Sequence, residues 1–149
     1  MDHKGDALLT KYLQVLGKSA GKEMENIRAK MGWSLAEDLW GSLETEPKTV
    51  EQLIAFLNYR LQAEFPFCER LELKEASPVD ITVMVHGCAF KKANLDLVQH
   101  HRQNLCPVDP FLIFFLNRSF SQNCWLVDNA FTEDGCIMKF SLSKSCALK

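Results

Sequence analysis

The alternation Val79, Ile81, Val83, Val85 is the feature that most constrains this chain. Successive side chains of a strand point to opposite faces, so branched apolar residues at every second position predict a strand with one buried face. Leu71 and Leu73, alternating with Glu72 and Lys74, predict its antiparallel partner, and Ser77-Pro78 predicts the turn between them. A lone hairpin of this kind is marginal in water and needs further strands or a helical cover. Cys124 to Phe131 and Cys136 to Leu142 supply two more strand-like runs, joined at Asp134-Gly135, a strong hairpin turn signal.

Helical spacing dominates the rest. Residues 7–30 read as one helix, with Leu8, Leu9, Tyr12, Leu16, Ala20, Met24, Ile27 and Met31 at three- and four-residue steps. Gly21 weakens its middle and Gly32 suits its end. Ser34, with Glu37 three residues on, predicts the cap of a short second helix carrying Leu35, Leu39 and Trp40. A linker over 41–48 leads to a third helix beginning at Thr49, with Leu53, Ile54, Leu57 and Leu61 inward, closed by Pro66. A fourth helix is expected over 90–103. Asp109 as N-cap and Pro110 as first helical residue predict a fifth, whose start, Phe111 to Leu116, is apolar nearly all round and so expected to be buried.

The order is therefore ααα-ββ-αα-ββ. Helices and strands do not alternate singly, so an α+β domain is expected, with N-terminal helices and an antiparallel sheet of about four strands packed with helices. The 149 residues show no repeat and suffice for one domain with a real core. Within it, 1–31 reads as an N-terminal helix whose apolar stripe could face a second copy in a homodimer. Residues 32–142 read as a ligand-binding-like core and 143–149 as a tail.

Charge narrows the partners. With 17 basic against 19 acidic residues and a net charge of −2, no basic stripe appears, which argues against nucleic acid. The run Phe111 to Leu116 is far short of the ~18 residues that cross a bilayer. The N-terminus lacks the apolar core of an export signal, so a cytoplasmic address is expected and the six cysteines read as thiols or ligands rather than disulfides.

Cys88 lies just past the second strand, Cys106 just before the buried helix, and Cys136 at the start of the last strand. If the last strand runs antiparallel to the second, Cys88 and Cys136 meet at one sheet edge and Cys106 joins from the connection. Cys88 shares the solvent-side parity of His86, so this requires Gly87 to re-aim it by one position. Three readings stay open. Three thiolates with a fourth partner, His86, His100, His101 or Asp109, would make a zinc site. Buried cysteines are also ordinary small hydrophobes. A reactive thiol is the third, with Cys106 near a helix N-terminus and His101 or His100 as base. Cys68, Cys124 and Cys146 carry no assigned chemistry.

Aromatic residues gather in the last third. Core packing explains them, and a pocket for an apolar small molecule between the sheet and the buried helix is the sharper reading. Phe111, Phe114, Phe115, Arg118 and Trp125 would line it, with Asn117, His86 and the cysteines as further polar anchors.

Four stretches carry a family resemblance: Gly32-Trp33-Ser34-Leu35-Ala36-Glu37, Val83-Met84-Val85-His86-Gly87-Cys88-Ala89-Phe90, Leu105-Cys106-Pro107, and Asp134-Gly135-Cys136-Ile137-Met138-Lys139-Phe140. From about Gly32 to Leu142 the chain resembles the 4-vinyl-reductase-type small-molecule-binding domain, a group related to subunits of transport-particle complexes. The resemblance implies an apolar cavity, a metal at Cys88, Cys106 and Cys136, and dimerisation. The chain departs from that pattern in lacking a final Cys-x-Phe and a glycine between Cys106 and the helix. The run Phe131-Thr132-Glu133-Asp134-Gly135-Cys136 is similar to L-2-amino-thiazoline-4-carboxylate hydrolase-like proteins, which implies instead a hydrolase using a metal or thiol at Cys106 or Cys136. With no acid–base pair or nucleophile motif evident, a small-molecule-binding or sensory domain is the favoured expectation. A structural adaptor without ligand is the third class.

Overall fold

A computed structural model describes residues 3–64 and 66–144. Five α-helices and four strands follow in the expected order: α1 (His3–Ala20), α2 (Met24–Trp40), α3 (Val50–Glu64), β1 (Arg70–Ala76), β2 (Asp80–His86), α4 (Lys91–His101), α5 (Val108–Phe120), β3 (Gln122–Phe131) and β4 (Cys136–Lys144). The fold is α+β. The strands form one antiparallel sheet in the order β1-β2-β4-β3, so the last strand is inserted between β2 and β3. Of the expected tail, residues 145–149, with Cys146, lie outside the described residues.

Alternation decides which sheet face is buried. Ile81, Val83 and Val85 on β2 share the inner face with Cys136, Met138, Phe140 and Leu142 on β4, and all seven are buried. The opposite face carries Thr82, Met84 and Lys139 and is only partly covered, as an antiparallel sheet permits. α3 lies against β1 and α5 against β3, while α2 crosses behind α5.

The first two helices divide differently from the expectation. The chain breaks at Gly21 (φ 55°) in one 3₁₀ turn, Gly21–Glu23, and α2 then runs unbroken through Gly32 and Ser34. Ser34 therefore caps nothing, and a boundary at 31/32 falls inside a helix. Gly32 is needed for packing. A Cβ there would stand 2.5 Å from the Pro107 carbonyl oxygen and 2.8 Å from Pro110 Cβ. Its missing side chain lets α2 sit directly on the start of α5.

α5 also starts elsewhere. Its N-cap is Pro107, without a side-chain cap bond, and Pro110 sits within the first turn, where no amide hydrogen is missed. Asp109 is buried and accepts from Arg28 Nη1 at 2.8 Å instead of capping the helix. Arg28 also donates to the Cys106 carbonyl (3.1 Å) and to both Glu25 carboxylate oxygens. One buried guanidinium thus ties α2 to the loop carrying Cys106. α1 packs on α4, where Leu13 and Leu97 share a small second core, and leaves Leu8, Tyr12 and Val15 exposed.

Candidate functional site

Each of the three cysteines is placed by a different device. Cys136 opens β4 with inner-face parity, opposite Val85 on β2 and Phe131 on β3. Cys88 is redirected by Gly87, which adopts φ 64°, a left-handed conformation that costs a side-chain-bearing residue. The Cys88 amide then donates to the Asp134 carbonyl at 3.0 Å, fastening the end of β2 to the β3–β4 turn. Cys106 lies between α4 and α5. There Leu105 N–H donates to the buried Asn94 Oδ1 (2.8 Å) and Cys106 N–H to Asn104 Oδ1 (2.9 Å).

These devices bring Cys88, Cys106 and Cys136 to the wall of one small cavity, with Lys91, Asn94 and Asn129 beside them. Its free volume is about 10 Å³, close to the space one water molecule needs. The Lys91 ammonium donates to the Thr132 and Glu133 carbonyls, holding the β3–β4 turn over the cavity.

Burial governs the thiols. It pushes Cys136 up to about 12 and raises Cys88, while Lys91 pulls both back toward the thiolate. Cys106 is raised well above the ordinary thiol range, by burial first and by the neighbouring Cys88 next, although the Val108 amide works in the other direction. The helix start therefore does not make Cys106 a ready nucleophile, because desolvation outweighs the help of the backbone amide. Cys68 belongs with this group. It is buried, is pushed up to about 12 by burial first, and feels Cys88 and Cys136.

The other expected residues lie elsewhere. His86 points to the outer sheet face, where Nε2 lies 2.7 Å from Glu72 Oε1 and Nδ1 lies 3.8 Å from Asp134 Oδ2. The Glu72 carboxyl is held below its usual range, chiefly by that contact with His86. His100 pairs with Asp96 one turn back on α4. His101 is exposed and opens on a cleft beside Lys22 and Glu25, so the Cys106–His101 pair is not assembled. Asp109 is taken by Arg28. Among the described residues, no three His, Cys, Asp or Glu side chains stand ready to hold a metal ion.

The expected aromatic pocket is filled by its own walls. Phe111, Phe114 and Phe115 are at most 1% exposed. Phe115 meets Phe111 at 5.2 Å and Phe114 at 5.8 Å between ring centroids, and Phe114 meets Trp33 edge-on at 5.3 Å. Arg118 lies over the outer side of Phe114, its Cζ 5.0 Å from the ring centroid, and Trp125 is half exposed at outer-face parity. None of these five lines the thiol cavity.

Sequence reading missed Cys68, Lys91, Asn94 and Asn129. Asn129 was findable in principle: its inner-face parity follows from pairing with Met138, but the bulge between Leu126 and Asp128 hides that parity in the sequence. Compared with protein-family models and with curated proteins, the chain matches none. No described helix is long and apolar enough to cross a membrane.

Proposed function

We propose that this chain is a small-molecule-binding or sensory domain whose working centre is the thiol cavity, and that the occupant of the cavity is a zinc ion. The observation that carries the reading is the convergence of Cys88, Cys106 and Cys136, from three separate parts of the chain, on one small space of about 10 Å³. That volume accommodates one water-sized object, which suits an ion and not a hydrocarbon body. Sulfur donors favour a soft or borderline cation such as zinc.

The donor chemistry fits, while the thiols as placed do not form a finished cage. Binding would draw them inward and release their protons, since the thiolate is the ligand. Thiols raised by burial make that release harder at low pH, so zinc affinity is expected to rise with pH. A homodimer through the exposed Leu8, Tyr12 and Val15 stripe of α1 accompanies this reading as an expectation tested by sedimentation.

Metal analysis of protein purified without chelator tests the reading. About one zinc per chain is expected, lost in Cys88→Ser, Cys106→Ser and Cys136→Ser variants that keep the wild-type circular dichroism. Zinc-free wild-type protein that also fails to take up added zinc would overturn it.

A further inference from the structure

The zinc reading leaves Cys68 unused, yet the sheet register gives it a partner. The β1–β2 ladder ends with Arg70 opposite His86, and two bonds carry the pairing past the strands. Glu69 N–H donates to the His86 carbonyl at 2.8 Å, and Ala89 N–H to the Phe67 carbonyl at 2.7 Å. Glu69 and Gly87 accordingly lie side by side, a Cβ on Gly87 falling 2.4 Å from Glu69 Cγ. The next residues in the same register are Cys68 and Cys88.

The Ala89–Phe67 bond flanks these two as it flanks a cross-strand pair with no hydrogen bonds of its own. In a regular sheet the Cα atoms of such a pair come to about 4.5 Å and the side chains are at their closest. A disulfide accepts that separation. Cys68 is buried in the main core, and Cys88 packs against the same core. The Cys68 thiol is raised by burial first and by Cys88 next, ahead of Cys136. The other thiols are less well placed for Cys88. Cys136 stands opposite Val85, three residues back along the chain. Cys106 sits on a loop held by Arg28 and Asn104, and Cys124 lies at the far end of β3, opposite Leu142.

We propose that Cys68 and Cys88 are an oxidisable pair, joined into a disulfide by hydrogen peroxide. Cys88 is the point of entry, because among the described cysteines it is the one not fully buried. Its sulfur takes one peroxide oxygen as the O–O bond breaks, giving a sulfenic acid, and its proton leaves with the other oxygen as water. The Cys68 sulfur then attacks the Cys88 sulfur. The S–O bond breaks, and the hydroxyl departs with the Cys68 proton as a second water. Two thiols are oxidised and one peroxide is reduced to two waters. A consequence follows that rests on the zinc reading. Cys68 is not in the wall of the thiol cavity, so bonding to it turns the Cys88 sulfur away from Cys106 and Cys136 and removes one zinc ligand.

Peptide mapping tests the pair in metal-free, folded protein treated with hydrogen peroxide, alkylated and digested with trypsin. The expected product links residues 61–70 to residues 75–91 within one chain and is reversed by dithiothreitol. It should be absent from Cys68→Ala and from Cys88→Ala, and should form normally in Cys124→Ala. A dominant link from Cys88 to Cys136 or Cys106, a link between chains, or survival of both thiols would overturn the pairing. Zinc titration tests the consequence. Oxidised wild-type protein should bind zinc about a hundredfold more weakly and recover on reduction, whereas Cys68→Ala should bind it as reduced wild type does. Undiminished affinity in the oxidised protein would overturn the competition. Reduced wild type that takes up no zinc would refute the zinc reading itself, and the pairing would then be decided by the peptide map alone.

Discussion

The two ends of the inner sheet face solve one burial problem in opposite ways. Under α5, Phe111, Phe114, Phe115 and Phe140 bury large rings with at most 1% exposure, and each ring blocks the space another would leave. Where β2 and β4 meet α4, the same face carries Cys136, and the chain turns at Gly87 and Gly135 beside Cys88 and Cys106. Small side chains on turning backbone leave a cavity there. A helix laid along a sheet can bring side chains to every gap, whereas the ends of strands are covered only by loops, whose paths are fixed by their own hydrogen bonds. The filled end supplies stability, and the incompletely filled end is where chemistry has room.

The filled end can be tested most severely. Phe115→Ala should lower unfolding free energy by about 3–5 kcal/mol, read as a fall in denaturation midpoint at unchanged slope. A loss under about 1 kcal/mol would mean the rings are not tightly packed and the contrast fails. Arg28→Ala comes next, at about 3 kcal/mol, because it leaves the Asp109 carboxylate buried and unpaired. Arg28→Met combined with Asp109→Leu should recover much of that loss, since an apolar pair can replace a buried ion pair. A double variant as weak as the single one would show that Arg28 acts mainly through its bond to the Cys106 carbonyl.

Those two sites also show where the sequence was legible. The β2 alternation and the Asp134-Gly135 turn are local signals, and both strands and their antiparallel pairing follow from them. Gly32 and Asp109 misled for one reason. A glycine after an apolar repeat and an aspartate before proline are local stop and start signals, yet both residues are claimed by partners distant in sequence, Gly32 by Pro107 and Pro110 and Asp109 by Arg28. The meeting of Cys88 with Cys136 was readable from strand direction and glycine chemistry. The state of Cys106 was not, because helix position is written locally while desolvation depends on everything packed around the thiol.

Alkaline pH sharpens the contrast at the cavity end. Cys68 and Cys136 stand at about 12 in the folded chain against roughly 8.5 for a free thiol. Between those values the unfolded chain has lost protons that the folded one keeps, so the metal-free protein becomes less stable as pH rises. The slope is at most about 1.4 kcal/mol per pH unit for each such thiol, and below pH 8 these groups contribute no dependence. Zinc-loaded protein should show the reverse trend at lower pH, gaining stability as pH rises, because its thiols bind the metal only after losing their protons. Thermal melts of metal-free protein from pH 8 to 11, and of zinc-loaded protein from pH 6 to 8, measure the two trends. A metal-free stability that is flat across that range would mean the thiols are hydrated.

The smallest effect expected is the most local. Gly87→Ala should cost about 1–2 kcal/mol, the penalty of placing a Cβ on left-handed backbone. Space adds little of its own, for although the new carbon would fall 2.4 Å from Glu69 Cγ, that neighbour belongs to an exposed side chain able to move. Pairing it with Glu69→Ala therefore separates strain from crowding: a loss that persists is strain, and one that vanishes is crowding. The structural consequence exceeds the energetic one. Gly87 is what turns Cys88 from the outer parity of His86 toward Cys136, so relaxing that turn should loosen the Cys88 amide from the Asp134 carbonyl and lower zinc retention even in protein that remains folded. Phe115→Ala, assayed well below its own melting point, should leave zinc retention unchanged. Opposite rankings of the two variants in stability and in metal content would establish that the two ends of the sheet are separable, and matching rankings would show that the cavity depends on the core as a whole.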